Sequence, residues 1–364
     1  LVFGGVHLTA IATAVGTPTY VYNAEVIRRQ FRRLDQALAA IPHRICFAVK
    51  ANSNLGVLRI FRDLGAGADI VSGGELRRAL AAGFPAERVV FSGVGKSEDE
   101  LELALMSGVG HIHLESADEL AKISALATRL NVDVTLGIRV NPDVTADTHP
   151  YIATGQGGIK FGVPFDQVLE LARAIHAHAR LRLDSIAMHI GSQILDPSPY
   201  RQGVTKLAGL VANIRAAGID TLRTLDIGGG LGIRYKDETP LDPALLAEAV
   251  GPLARETGLT IVLEPGRFLV GSAGVMLTTV LSRKHSGGKE LVLVDAGMND
   301  LVRPSHYMAY HDIVELEAKG RDEGNVDVVG PVCETGDFLA RDRRLPAVVS
   351  GEQLAVLGAG AYGF

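Results

Sequence analysis

The sequence predicts an α/β chain, a parallel (β/α)8 barrel joined to a second domain that is all β. Two observations carry this. Between residues 45 and 264, short apolar and β-branched runs alternate with longer segments whose apolar residues recur at helical spacing. Beyond about residue 268 the helical spacing stops. There, "GVMLTTVLSRK", "ELVLVDAG", "NVDVVG" and "LPAVVSGEQLAVLG" are β-rich runs divided by Gly and Asp turns.

The elements follow in chain order. Residues 1–16 are apolar but lack the basic stretch of a signal peptide. "TPTYVYN" at 17–23 is strand-like and is expected to join the β domain. A helix comes next, with Ile27, Phe31, Leu34 and Leu38 on one face. The eight expected barrel strands are 45–49, 68–71, 88–91, 110–114, 134–140, 184–189, 222–227 and 260–264. Segments 97–107, 116–128, 165–178 and 241–257 are long enough for the intervening helices. Ser72/Glu75, Ser97/Glu100 and Ser116/Glu119 have the S-x-x-E spacing of a capping box, which satisfies the first free amides of a helix. Eight such units close most economically into a barrel, because right-handed crossovers put every helix outside. An open doubly wound sheet is the rival. "DIGGGLGI" at 226–233 does not rescue it: a G-x-G-x-x-G run from Gly228 needs glycine where Ile233 stands.

The expected domains are 24–267 for the barrel, and 1–23 with 268–364 for the β domain. The chain starts at Leu1 and stops at "GAGAYGF", so both ends are expected to be cut, with the β domain truncated at its C-terminus. The 364 residues are 47% hydrophobic with a formal charge of -5, which excludes disorder. Without a long basic block, nucleic acid and anionic membrane are excluded as main partners, leaving a small molecule. No apolar stretch reaches the roughly 18 residues of a membrane span. Cys46 and Cys333 are far apart and lack metal-ligand spacing, which fits a reducing compartment, the cytoplasm.

Active sites of such barrels lie at the C-terminal strand ends. Lys50 follows strand one, and Ser92 and Gly93 follow strand three. Arg139 closes strand five and His189 closes strand six; Gly228, Gly229 and Gly230 follow strand seven, and Glu264 ends strand eight. Each has a plain structural alternative: a solvated lysine, a core histidine, a tight turn, an ion pair between Glu264 and Arg267. Together they meet one chemical need. An amine can form a Schiff base, bare backbone amides and the Ser192 hydroxyl can hold a phosphate, an imidazole can stack on a ring, and a carboxylate can keep a ring nitrogen protonated. That is a pyridoxal 5'-phosphate site, with Lys50 as its covalent anchor.

The motifs "FAVKANSN", "GAGADIVSGGEL", "VVFSGVGKSEDEL", "RVNPDVTADTHPYIATG", "HIGSQI", "DIGGGLGI", "EPGR", "VDAGMNDLVRPSHYMAYHDI" and "GPVCETGDFLA" together closely resemble the diaminopimelate decarboxylases. The resemblance implies fold type III, the alanine racemase-like architecture, and removal of the D-centre carboxylate of meso-diaminopimelate to give L-lysine and CO2. It implies cofactor contacts from Lys50, Asp69, His189, Ser192, Gly228, Gly229, Gly230, Glu264, Gly266, Arg267 and Tyr362. Arg267, Arg303, Tyr307, Glu334 and Tyr362 would meet substrate. Lys50, His189 and Cys333 would be catalytic, with Cys333 as proton donor. A homodimer with shared sites is implied as well. Two rivals remain at this point: a sister decarboxylase of ornithine, arginine or a carboxylated polyamine, and a non-catalytic carrier of the cofactor. The carrier is disfavoured by the β domain and its "CETGD" loop.

Overall fold

Eight strands, His43–Ala48, Gly67–Ile70, Val89–Phe91, His111–Leu114, Val134–Arg139, Leu181–Ala187, Thr224–Asp226 and Thr260–Leu263, pair in parallel and close into a barrel. The computed structural model describes residues 1–144 and 160–363. The "RVNPDVTADTHPYIATG" motif from residue 145 on, and Phe364, lie outside the described residues. Closure runs through Ile261 opposite His43 and Leu263 opposite Ile45. Gly67–Ile70 and His111–Leu114 are buried at every residue. Burial on both faces explains why these strands read as apolar runs without alternation. The sixth strand begins three residues before its apolar run, because Val134 pairs with Leu181 although the neighbouring Arg182 side chain points outward to water.

The helices bear out the capping serines, with one difference. Ser72, Ser97 and Ser116 each accept from the amide three residues on, at 3.2, 3.3 and 3.2 Å. Only Glu100 returns the bond to its own cap, at 3.0 Å to Ser97 N. Glu75 and Glu119 reach one residue further, to Val71 N at 2.8 Å and Glu115 N at 2.9 Å. The cause is the cap backbone. Ser97 has φ -73°, whereas Ser72 and Ser116 are extended at -156° and -161°, which turns their own N–H groups away. The helix Ala24–Ala37 leads into the first strand, and Ile27, Phe31, Leu34 and Leu38 are all buried.

The chain divides into two compact units. One is the barrel, Gln30–Gly232 with Pro240–Gly266; the other comprises Leu1–Arg29, Ile233–Thr239 and the residues from Arg267 on. The second unit is a seven-stranded sheet. Its long strand Gly274–Ser286 pairs antiparallel with Thr19–Tyr22, Gln353–Val356 and Lys289–Val294. Lys289–Val294 then pairs in parallel with Glu323–Val329, which carries Phe338–Pro346 on its other side. "TPTYVYN" therefore does join the sheet. Met276, Val280, Val292, Val328, Leu339 and Leu354 are part of its core.

This unit is mostly sheet, where the sequence predicted all β. Residues Leu8–Val15 form a helix whose Leu8 and Ala12, one turn apart, pack with Val275, Leu277 and Ala355. The apolar start of the chain is thus a core-covering helix. Among the described residues no helix is long and apolar enough to cross a membrane.

Candidate active site

The first strand ends at Ala48, and a 3-10 turn, Val49–Ala51, carries Lys50 off its end. Register does the rest. Ala48 lies opposite Asp69 on the second strand, and Lys50 Nζ donates to Asp69 Oδ2 at 2.6 Å. Asp69 is fully buried, and its other oxygen has no hydrogen-bond partner, so acceptor capacity remains for a bound group. Lys50, Ser92, His113, Arg139, His189 and Glu264 all line one cavity of about 360 Å³, within the usual range of small-molecule sites.

On the barrel axis sit three buried groups, His113, Asp226 and Glu264, with donor atoms within 4.8 Å of one another. A Cβ on Gly137, opposite His113 in the register, would lie 2.4 Å from the imidazole, so only glycine leaves that ring its space. Burial, then the charges of Asp226 and Asp69, push the Glu264 carboxyl well above the usual carboxylate range. Burial also pushes Asp226 up to about 7, against the Gly228 N–H that its Oδ1 accepts at 2.8 Å. The pair therefore retains a proton near neutrality. Burial holds His113 well below its ordinary value, with the charges of His111, Lys96 and Arg139 acting the same way, so the ring is neutral. Ser92 Oγ links it to Glu264, at 3.2 Å from His113 Nδ1 and 3.3 Å from Glu264 Oε1.

The glycine loop borders these groups. Gly229 N donates to His189 Nδ1 at 3.1 Å, which makes that nitrogen an acceptor. A ring accepting at Nδ1 is not an imidazolium, and burial, then Arg139 and Lys50, hold His189 well below its usual value. A Cβ on Gly229 would stand 2.3 Å from the Glu264 carbonyl oxygen. Tyr200 Oη, on the helix Ser198–Ala216, donates to Gly229 O at 2.8 Å. Gly228 and Gly229 thus spend their N–H groups on Asp226 and His189. The Gly230 end of the loop lies beside the segment carrying Ser192, which Ile194 N ties to Gly230 O at 2.8 Å. Gly266 is buried after the eighth strand, and the preceding Pro265 accepts from Ala48 N.

A phosphorylated pyridine aldehyde fits this set. The amine, a neutral flat imidazole, a proton-holding carboxylate and a side-chain-free turn border one another in one strand-end layer.

The sheet unit assembles a second cluster. Arg267 Nη1 donates to Tyr235 Oη at 2.7 Å, and its Cζ lies 4.9 Å from the Tyr362 ring centre. Arg303 stands 5.0 Å over the Tyr235 ring. Both guanidinium groups are buried. Tyr307 ends the short helix Arg303–Tyr307, half-buried, with its ring edge-on to His306. Cys333 and Glu334 lie elsewhere in this unit, in an exposed loop between Glu323–Val329 and Phe338–Pro346. Buried Asp337 shapes that loop, accepting from Met298 N at 2.6 Å and Val332 N at 2.7 Å.

Four residues of these clusters escape the sequence reading: His113, Asp226, Tyr235 and His311, whose Nε2 accepts from Arg303 Nε at 3.2 Å. A signal exists for the first two. Each is a polar residue inside a run that must be buried on both faces, "GHIHL" and "LRTLDI", and buried polar groups need partners. Tyr235 and His311 come from irregular segments with no periodicity to flag them.

Residues 24–271 match the profile of the pyridoxal-binding domain of pyridoxal-dependent decarboxylases. The chain is 48% identical to the diaminopimelate decarboxylase of Pseudomonas aeruginosa, over 99% of this chain and 86% of that protein. To the diaminopimelate decarboxylase of Aquifex aeolicus it is 47% identical, over 99% and 85%. The crystal structure of the Helicobacter pylori diaminopimelate decarboxylase complexed with L-lysine superposes with a TM-score of 0.94 at 40% identity, covering 98% of this chain and 89% of that one. With a matching domain profile, near-complete coverage at 40–48% identity and a TM-score of 0.94, the chain belongs to the diaminopimelate decarboxylase family of pyridoxal-dependent decarboxylases.

Proposed function

We propose that the barrel mouth holds pyridoxal 5'-phosphate and that the enzyme removes the D-centre carboxylate of meso-2,6-diaminopimelate, releasing CO2 and L-lysine. The observation that carries this is the cavity in which the Lys50 amine, paired with buried Asp69 at 2.6 Å, faces the same space as Glu264. When bound, the pyridine ring supplies the sink for the electron pair left by departing CO2. The chain's residues do the remainder.

Lys50 would anchor the aldehyde end through its neutral amine, and Asp69, paired with it at 2.6 Å, would hold the proton that the ammonium sheds. Glu264, whose proton affinity is raised by burial and then by Asp226, keeps the ring nitrogen protonated. Neutral His189 offers a flat face without adding charge. The Gly230 end of the loop and Ser192 receive the phosphate, with Gly266 near it. Arg303, a buried guanidinium, pairs with a substrate carboxylate in bidentate fashion, and Arg267, Tyr307 and Tyr362 complete that contact. Cys333 Sγ delivers the proton that replaces the lost carboxylate, and solvent returns one to the thiolate. Cys333 and Glu334 are exposed, which supports a homodimer in which this loop serves the partner's site.

The test is a product assay with coenzyme across meso-diaminopimelate, ornithine, arginine and lysine. CO2 and lysine should form from diaminopimelate alone. Coenzyme capture without CO2 release would leave only a carrier, and preference for ornithine would move the enzyme to the sister activity.

A further inference from the structure

Arg303 is buried at 6% exposure, yet among the described residues no carboxylate pairs with it. The groups that act on its charge are Tyr235, Arg267, Tyr362 and Tyr307. A buried cation without a counter-charge needs something to hold its orientation. His311 is fully buried beside it. The His311 Nδ1 lies 3.0 Å from the Leu357 carbonyl oxygen, and since a carbonyl only accepts, Nδ1 carries the hydrogen. Nε2 therefore has a lone pair, and Arg303 Nε donates to it at 3.2 Å. Tyr235 packs against both, edge-on to the imidazole at 5.2 Å.

We propose that His311 is a positioning residue for substrate recognition: it holds Arg303 through Nε, fixing the plane in which both terminal nitrogens meet the substrate carboxylate. The assignment rests on the reading of Arg303 as the carboxylate holder. A neutral acceptor suits this task in a way a carboxylate does not. Asp or Glu here would bind the same Nε but cancel the charge meant for the ligand, whereas imidazole orients the guanidinium and leaves it fully cationic. Burial, then the positive charges of Arg303, Arg267 and Arg343 working against the Leu357 bond, keep His311 at about 4, so it remains an acceptor at neutral pH. Arg343 also donates to the His311 carbonyl at 2.6 Å, which fixes the backbone on which the ring is mounted.

Two amide variants separate this role from a structural one. In His311→Gln the amide reaches the Nε2 position and can still accept from Arg303. In His311→Asn it reaches only the Nδ1 position, keeping the bond to Leu357 and losing Arg303. The expected result is a KM for diaminopimelate raised about tenfold in His311→Asn, with kcat changed less than about twofold and the coenzyme absorbance unaltered, while His311→Gln stays within about threefold of wild type. Equal damage from both variants, or a loss in kcat with KM unmoved, would overturn the proposal. Arg303→Ala keeps the two layers apart. If it leaves KM unchanged, Arg303 itself is misassigned. If it raises KM while His311→Asn does not, only the His311 role falls. In the double variant, the His311→Asn effect should vanish.

Discussion

At the barrel mouth, Asp69, Asp226 and Glu264 are buried around one lysine. In the sheet unit, Arg267 and Arg303 are buried against tyrosines and a histidine. The first set stores protons: burial, then the charges of Asp226 and Asp69, raises the Glu264 carboxyl, and burial, helped by the charge of Asp69, raises Asp226 to about 7 against its bonds to Gly228 and Glu264. The second holds positive charge: His311 orients the Arg303 guanidinium by accepting from its Nε without neutralising it, and Tyr235 accepts from Arg267. The supports differ in kind too. Asp69, His113 and Asp226 stand on barrel strands whose register fixes them, whereas Tyr235 and His311 stand on irregular backbone and Arg303 on a five-residue helix. The proposed chemistry of Lys50 and Glu264 thus falls on strand-borne groups, and the proposed carboxylate recognition on groups carried by irregular backbone and a short helix.

Three measurements break or sharpen that division, beginning with the largest effect. Lys50→Ala should lower turnover by roughly 10³-fold or more, and borohydride reduction should leave no coenzyme on the chain. Wild-type rates in this variant would remove the barrel mouth from the chemistry. Cys333→Ala should slow turnover about 10²-fold with coenzyme still bound, since the thiol belongs to the sheet unit's contribution. Coenzyme loss instead would mean that the two regions are not separable. The smallest effect is on acid stability. The folded-state value of His311 is depressed from 6.5 to about 4, so its stabilising share is present above pH 6.5 and is lost as pH falls toward 4, worth roughly 3 kcal/mol. Asp226 runs the other way. Its value is raised from 3.8 to about 7, so its share is full below 3.8 and lost as pH rises through 7. In coenzyme-free protein, amide exchange in Gln353–Val356 should therefore accelerate between pH 6.5 and 4 more than in Thr224–Asp226, after correction for intrinsic rates. Equal acceleration in both strands would show that the two charge designs do not reach stability.

Much of this is legible in the sequence, and for identifiable reasons. The barrel strands announce themselves because both of their faces are buried, and Lys50, His189 and Glu264 stand out as polar residues where apolar runs end. Ser72, Ser97 and Ser116 mark helix starts, but the partner of each glutamate depends on the φ of the cap, which spacing does not encode. His113 and Asp226 hide inside their strands because apolar neighbours mask them. The bond that consumes the Gly229 amide depends on His189, beyond the end of the sixth strand, meeting the loop, a tertiary fact, whereas Asp226 takes the Gly228 amide from two residues away. Tyr235 and His311 are illegible for the same reason: they lie 68 and 8 residues from Arg303 along the chain, and no repeat connects them.

Asp337 gives the thiol-bearing loop a property that sequence spacing would not suggest. With one carboxylate gripping Met298 N and Val332 N, the turn is already set before anything meets it. A segment braced from within surrenders little freedom on joining another surface, so encounter between two copies would be governed by fit and desolvation instead of by ordering. On the proposed homodimer, loosening that brace, as Asp337→Ala would, should weaken pairing of the two copies while leaving Cys333 itself chemically intact.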